Sequence, residues 1–288
     1  MIVWFGGGLG NQLFQYSLLK SAQEKGYDVK ADLSYYDMYN CHNGYELKKV
    51  FDLDLPVCSE AEIGKFNNRY SIIARAIRKI GFIDFDIDRN IIREDKGKYI
   101  NDLISDKNKA CYLWGYWQTD KYFNDIQDKI LSTLIFPKLV NKNEEIAEQI
   151  CGSLSTSIHV RKGDYTKDKN FSDLVSGDYY QKSINYISER FSDVKYFVFS
   201  DDPEWCTNNL NLPPSATYVT WNTKENAYND MHLMSLCKNN IIANSSFSWW
   251  GAQLNKNREK TVIAPKYWYN KDSKFNGDNI VPKEWVKI

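Results

Sequence analysis

The sequence is short of the features that mark secreted, membrane-spanning or nucleic-acid-binding chains. Its 37 Lys and Arg are balanced by 37 Asp and Glu, so no net charge attracts a polyanion and any basic function has to be local. No run approaches the roughly 18 apolar residues that a transmembrane helix needs. Met1-Ile-Val-Trp-Phe5 runs straight into glycines, without the charged start and apolar stretch of a secretion signal, so a cytoplasmic protein is expected. The six cysteines, Cys41, Cys58, Cys111, Cys151, Cys206 and Cys237, lie far apart with no C-x-x-C, and reduced core thiols are expected. Only three histidines occur, and no His/Cys/Asp spacing resembles a zinc site. The P-loop G-K-[ST] and the G-x-S-x-G elbow are both missing. What is present in surplus is aromatic: nine Trp, 20 Tyr and 14 Phe in 288 residues, in an otherwise ordinary globular composition.

The chain opens as strand, glycine turn and helix: Ile2-Val-Trp-Phe5, then Gly6-Gly-Gly-Leu-Gly10, then a helical stretch over 11–25 and a second strand over 29–33. That is a βαβ start, the mark of a parallel sheet. Phe66, Tyr70, Ile73, Ile77 and Ile80 recur at helical spacing, and Arg69, Arg75, Arg78 and Lys79 on the other faces read as a solvated surface. In the second half, strands over 157–160, 195–199, 217–221, 240–243 and 261–264 alternate with helices over 179–191, 203–210, 225–238 and 247–254. The expectation is an α/β protein of two doubly wound, Rossmann-like parallel-sheet domains, 1–145 and 146–288, facing a central cleft. Ligand-binding residues should then follow the strands.

They do. His159 and Arg161 share one face at the end of the strand over 157–160. The arginine fork suits phosphate oxygens, with Gly163 allowing close approach, although a strand-end ion pair of Arg161 with Asp164 is the plain alternative. Asn244-Ser245-Ser246 ends a buried strand and enters a helix, which offers hydroxyls and unpaired N–H groups to an anion, or simply an N-cap. Asp230 opens the preceding helix, and a carboxylate accepting two N–H bonds suits guanine. Asp201 and Asp202 end a third strand as helix cap or ligand. Gly6-x-Gly8-x-Gly10 is not G-x-G-x-x-G, yet Asp32 beyond it keeps a nicotinamide- or flavin-dependent oxidoreductase open. Asp84-Phe85-Asp86 imitates a metal-holding D-x-D, with general acidity as the blander account. Trp249 and Trp250 belong to the core, while the aromatic surplus also allows a non-catalytic sugar-binding protein.

Taken together, Gly7-Gly-Leu-Gly-Asn11-Gln12, His159-Val-Arg161-Lys-Gly-Asp164, Phe199-Ser-Asp201-Asp202-Pro203 and Asn244-Ser-Ser-Phe-Ser-Trp-Trp250-Gly251 resemble the α-1,2-fucosyltransferases of glycosyltransferase family 11. The motifs keep their order and span nearly the whole chain. The resemblance implies a GT-B-like fold, with an acceptor-side N-terminal domain and a GDP-sugar-binding C-terminal one. It implies GDP-β-L-fucose as donor substrate, no other cofactor, no metal, inversion at the anomeric carbon and a terminal β-galactose acceptor. Arg161 would hold the β-phosphate, His159 and Asp230 the guanosine, and Ser245 and Ser246 the diphosphate, with Asp202 a further donor-side ligand. Asn11 would orient acceptor or donor, and Asp164 is the nearest candidate for a base. Lys162 departs from the H-x-R-R-x-D pattern and, as a point charge, does not replace a bidentate fork. The bacterial members imply work on surface polysaccharide at the cytoplasmic face, with peripheral contact to the inner membrane and no nucleic acid.

Overall fold

The computed structural model describes residues 1–39, 42–66, 90–95, 97–105, 110–163, 170 and 176–288. The chain forms two compact units, Met1–Thr133 and Leu134–Ile288. The boundary expected at 145/146 falls inside a helix, α2 (Lys142–Cys151), which packs on a later helix of the second unit and so belongs with it.

In the first unit, β1 (Ile2–Trp4), β2 (Lys30–Asp32), β3 (Ile91–Arg93) and β4 (Tyr112–Trp114) form a parallel sheet in the order β2-β1-β4-β3. β1 sits inside this sheet and is wholly buried, as an unbroken apolar run requires. The helix α1 (Leu9–Glu24) follows the glycines and buries Leu13, Phe14, Leu18 and Leu19, along with four polar residues, Gln12, Gln15, Ser17 and Ser21. Strands of three residues scarcely express a period of two, so β3 and β4 stay hidden in the sequence. Of the charged helical stripe only Phe66 is described, packed on Tyr112; the rest, with Asp84 and Asp86, lies outside the described residues.

The second unit is a six-stranded parallel sheet among the described residues: β5 (Ser155–Val160), β6 (Lys195–Ser200), β7 (Thr217–Val219), β8 (Asn239–Ile241), β9 (Val262–Ala264) and β10 (Val286–Lys287), in the order β10-β9-β8-β5-β6-β7. The five expected strands are all there, some shorter, and β10 is an addition. Between them run α3 (Gly177–Ser188), α4 (Pro203–Asn209), α5 (Tyr228–Leu236) and α6 (Ser246–Gln253). The chain order reverses at β5, between β8 and β6, which is where open α/β sheets take ligands. Trp249 and Trp250 are fully buried, and Trp249 donates to the Ile280 carbonyl at 2.8 Å. Cys58, Cys111, Cys206 and Cys237 are buried free thiols, and Cys151 is an exposed one. Among the described residues no helix is long and apolar enough to cross a membrane.

Candidate active site

The registers of β5 place three loops on one edge. Ile158 pairs Ile241 and Val160 pairs Ser200, so the residues after β5, β6 and β8 leave the sheet side by side. Arg161 is there, its Nη1 3.0 Å from Asp201 Oδ2, and Asp201 Oδ1 accepts from the Lys162 backbone N–H at 2.8 Å. A Cβ on Gly163 would lie 2.6 Å from Asp201 Oδ2, so glycine is what lets the loop close on this carboxylate. Among the described residues Asp201 is a partner of Arg161; Asp164, the partner weighed from the sequence, lies outside them. Lys162 extends its ammonium over the Trp205 ring at 4.1 Å. Asp202 accepts from Trp205 N at 2.9 Å and caps α4 ahead of Pro203, which commits one of its oxygens to the fold.

His159 is 7% exposed, packs on Phe247 at a ring distance of 5.8 Å, and its Nδ1 is buried without a partner. Burial first, and the Arg161 charge second, push it down to about 3, so the ring is neutral at physiological pH. Asn244 spends its Nδ2 on the Trp268 carbonyl at 3.1 Å, and its Oδ1 is likewise buried without a partner. Two orphaned polar atoms at one sheet edge are expensive, about 1–3 kcal/mol each unless a ligand meets them. Ser245 caps α6, its Oγ accepting from Phe247 N at 3.3 Å, and Ser246 opens that helix.

Asp230 lies in the first turn of α5, which runs back from the strand ends toward β8. Its Oδ1 accepts from Asn222 Nδ2 at 2.7 Å; Asn222 exchanges amide bonds with Asn143 at 2.8 and 2.9 Å, and Asn143 also accepts from Trp221 Nε1 at 2.8 Å. Burial pushes the Asp230 carboxyl up to about 7, with Asn222 pulling the other way. Two residues on, His232 stacks on Phe136 at 4.6 Å, and burial holds it down to about 4.

In the first unit the glycine loop is held by its own helix. Gly7 has φ 79°, and a Cβ on Gly6 would meet the Trp4 indole at 2.3 Å. The Gly7 carbonyl accepts from Gln12 Nε2 and Tyr36 Oη at 3.1 and 3.0 Å, while Gln15 takes the Gly6 N–H at 3.2 Å and donates to the Gly115 carbonyl at 3.1 Å. Asn11 lies beside Gly7, and its Oδ1 accepts from Gln118 Nε2 at 2.6 Å. Glu94 clamps the turn that carries Gln118, accepting from the N–H groups of Tyr116 and Trp117 at 2.7 and 3.2 Å. Asp32 is fully buried, with one oxygen on Tyr112 Oη at 2.5 Å and the other on Ser34 N at 2.9 Å. Fully buried and bonded within its own unit through both oxygens, Asp32 presents no exposed oxygen to a ribose, which weakens the dinucleotide reading.

The sequence singles out Asn11 and Asp230 but not the amides that hold them, Gln118 and Asn222, nor the clamp Glu94. For Gln118 a signal existed: Gly115-Tyr-Trp-Gln118 follows an apolar triplet, as the N-terminal glycines do. Among the described residues no three His, Cys, Asp or Glu side chains gather as a metal site.

The family model described as glycosyl transferase family 11 matches residues 56–288. A protein of Escherichia coli named alpha-1,2-colitosyltransferase is 35% identical, over 98% of this chain and 96% of its own. The O-antigen biosynthesis glycosyltransferase WbnK, also of Escherichia coli, is 33% identical over 98% of each chain. The solved structure of the fucosyltransferase NodZ from Bradyrhizobium overlays with a TM-score of 0.50 at 13% identity, covering 87% of this chain and 91% of that one, a likeness of fold alone. With two parallel-sheet α/β domains of the GT-B type and the family's match over most of its length, the chain belongs to glycosyltransferase family 11.

Proposed function

We propose that the protein transfers L-fucose from GDP-β-L-fucose to the 2-hydroxyl of a terminal β-galactose of a glycan, with inversion and without a metal ion. The observation that carries this reading is the edge of the second sheet. Arg161 and the start of α6 lie there with two buried, unpartnered polar atoms, His159 Nδ1 and Asn244 Oδ1. Breaking a sugar–diphosphate bond places negative charge on the leaving phosphate, and a guanidinium fork with a helix N-terminus is preorganised for that charge. Arg161 exchanges the Asp201 carboxylate for phosphate and stays paired in both states. Ser245 and Ser246 take the diphosphate, Asp230 accepts the N1–H and 2-amino hydrogens of guanine, and neutral His159 meets the nucleoside. The cap on α4 leaves Asp202 a supporting place on the donor side. Asn11 orients the acceptor, and Asp164, three residues beyond Arg161, takes the proton that the attacking hydroxyl loses.

A second donor has a specific observation behind it, the 35% identity to a protein named a colitosyltransferase. Colitose is L-fucose without its 3-hydroxyl, so the same site would serve. The test is a GDP-release assay in EDTA with GDP-fucose or GDP-colitose, with lactose, N-acetyllactosamine or no acceptor, and product linkage read by NMR. Acceptor-dependent release with a new α-1,2 bond supports the proposal, and strong preference for GDP-colitose moves it to the second donor. Failure of GDP to bind overturns the donor site. Loss of activity in EDTA, restored by a divalent ion, overturns metal independence.

A further inference from the structure

The first sheet carries an aromatic face where its strands end. Trp4 and Trp114 close the neighbouring strands β1 and β4, their rings 5.4 Å apart, and Trp4 also touches Tyr35 at 5.4 Å and Tyr116 at 5.9 Å. Tyr35 extends the cluster to Tyr39 at 5.1 Å. Trp4 itself is buried beneath, whereas Trp114, Tyr116 and Tyr39 are 39%, 40% and 56% exposed. Arg93, paired with Trp114 in the sheet register, lies 5.3 Å from that ring.

Polar groups border the face. The Trp4 indole covers Gly6, next to which Asn11 and Gln118 are joined through their amides. Gln118 stands two residues beyond Tyr116 on the turn that Glu94 clamps, and the Glu94 carboxylate is engaged by backbone N–H groups. The face therefore offers flat rings bordered by neutral amides and one guanidinium. Among the described residues the aliphatic members packed with Trp4, namely Ile2, Ile63 and Ile91, are buried or half-buried, and Met38 is an exposed neighbour on the helix that carries Tyr35. A lipid surface or protein groove would ask for Leu, Ile and Phe. A pyranose asks for this pattern: its axial C–H face packs on an aromatic ring and its equatorial hydroxyls reach amides at the rim. The carboxyl ends of parallel strands are also where open α/β sheets hold small ligands.

We infer that Trp114 and Tyr116, with the Asn11–Gln118 amide pair at their border, form the subsite that holds the acceptor's terminal pyranose. This rests on the glycosyl-transfer reading above and adds the residues that choose the acceptor. Trp114 and Tyr116 stack on the sugar, and Gln118, held to Asn11, positions the amide that reads its hydroxyls.

The test uses the full chain as wild type, Trp114→Ala, Trp114→Phe and Tyr116→Ala. Three quantities are measured: the KM for lactose, the affinity for GDP-fucose, and quenching of indole fluorescence by lactose and methyl β-D-galactopyranoside without donor. One stacked ring is worth a rise of about tenfold in the lactose KM of Trp114→Ala, with donor affinity unchanged and Phe restoring most of the loss. Unchanged lactose KM in both alanine variants overturns the inference, as does a donor affinity that falls in step with the acceptor's. If the wild type transfers to no galactoside, the glycosyl-transfer reading fails. The fluorescence titration then still decides the subsite, because quenching by a pyranoside that Trp114→Ala abolishes supports it and absence of quenching in wild type overturns it.

Discussion

Donor binding through Asp230 should be linked to a proton. Burial pushes this carboxyl up to about 7 in the empty protein, while accepting the two guanine N–H groups requires its charged form. Only the ionised fraction is then competent, and apparent affinity falls in proportion to it. At about pH 6 roughly one molecule in eleven is ionised, a loss of about tenfold or 1.4 kcal/mol, whereas at about pH 8 the loss is roughly a tenth of the affinity. GDP-fucose is the right probe because both its phosphates are esterified, unlike the terminal phosphate of GDP, which titrates nearby. Calorimetry in buffers of different ionisation enthalpy should count close to one proton released at about pH 6 and almost none at about pH 8. His159 and His232, held down to about 3 and about 4, stay neutral throughout this window. Asp230→Asn loses the paired acceptor, so it should bind about 1.5–3 kcal/mol more weakly at about pH 8, with no slope of its own and a gap that narrows as pH falls. A flat wild-type profile with no proton released refutes the argument, and so does an Asn variant that keeps the slope.

Arg161→Ala removes the charged donor to the leaving phosphate and should lower kcat/KM by about 3 kcal/mol in the GDP-release assay, with Arg161→Lys recovering little; near-normal turnover would take Arg161 out of the site. Asp32→Asn weakens two internal hydrogen bonds and should lose about 1–3 kcal/mol in urea unfolding, with no nicotinamide or flavin binding in either form; cofactor absorbance in the purified protein would reopen the oxidoreductase. Gly6→Ala sets a methyl 2.3 Å from the Trp4 indole and should lower the Tm and shift the emission spectrum; an unchanged Tm would show that the ring yields freely. The depressed values of His159 and His232 mean stability that is present above the ordinary 6.5 and lost as pH falls through about 4 and about 3. Each histidine therefore contributes a drop of up to roughly 1.4 kcal/mol per pH unit on acidification, the raised Asp230 carboxyl offsets about one such share, and His232→Leu should remove one histidine's share of the slope.

The second unit was legible because its two neighbouring strands β5 and β6 run to six residues and are largely buried, and helices separate the shorter strands that follow. All six residues of β5 are buried, and they run into His159 and Arg161 at the strand end, where topology puts ligands. The order of the strands decided which ends meet, and it placed Asp201 against Arg161. A parallel sheet brings the residue after the adjacent strand close, a neighbour forty residues away that sequence spacing does not report. Asp202 shows the same ambiguity from the other side: an acid before proline at a helix start serves as a cap whether or not it also serves a ligand.

The first unit resists sequence reading for a different reason. Hydropathy assigns Gln12, Gln15, Ser17 and Ser21 of α1 to solvent, yet all four are buried. The two glutamines are inside because their amides satisfy backbone groups at Gly7, Gly44 and Gly115, the last of them a hundred residues away. Periodicity reports which face of a helix is apolar, but it carries no information on where a buried amide finds its partners. The same holds for Gln118 and Asn222, each an ordinary polar residue on a turn until the fold sets it against Asn11 or Asp230. Candidate ligands announce themselves through residue type at a strand end. The groups that aim them are chosen by long-range geometry, and for that reason the first unit, built on strands of three residues and long-range amide bonds, emerges only from the structure.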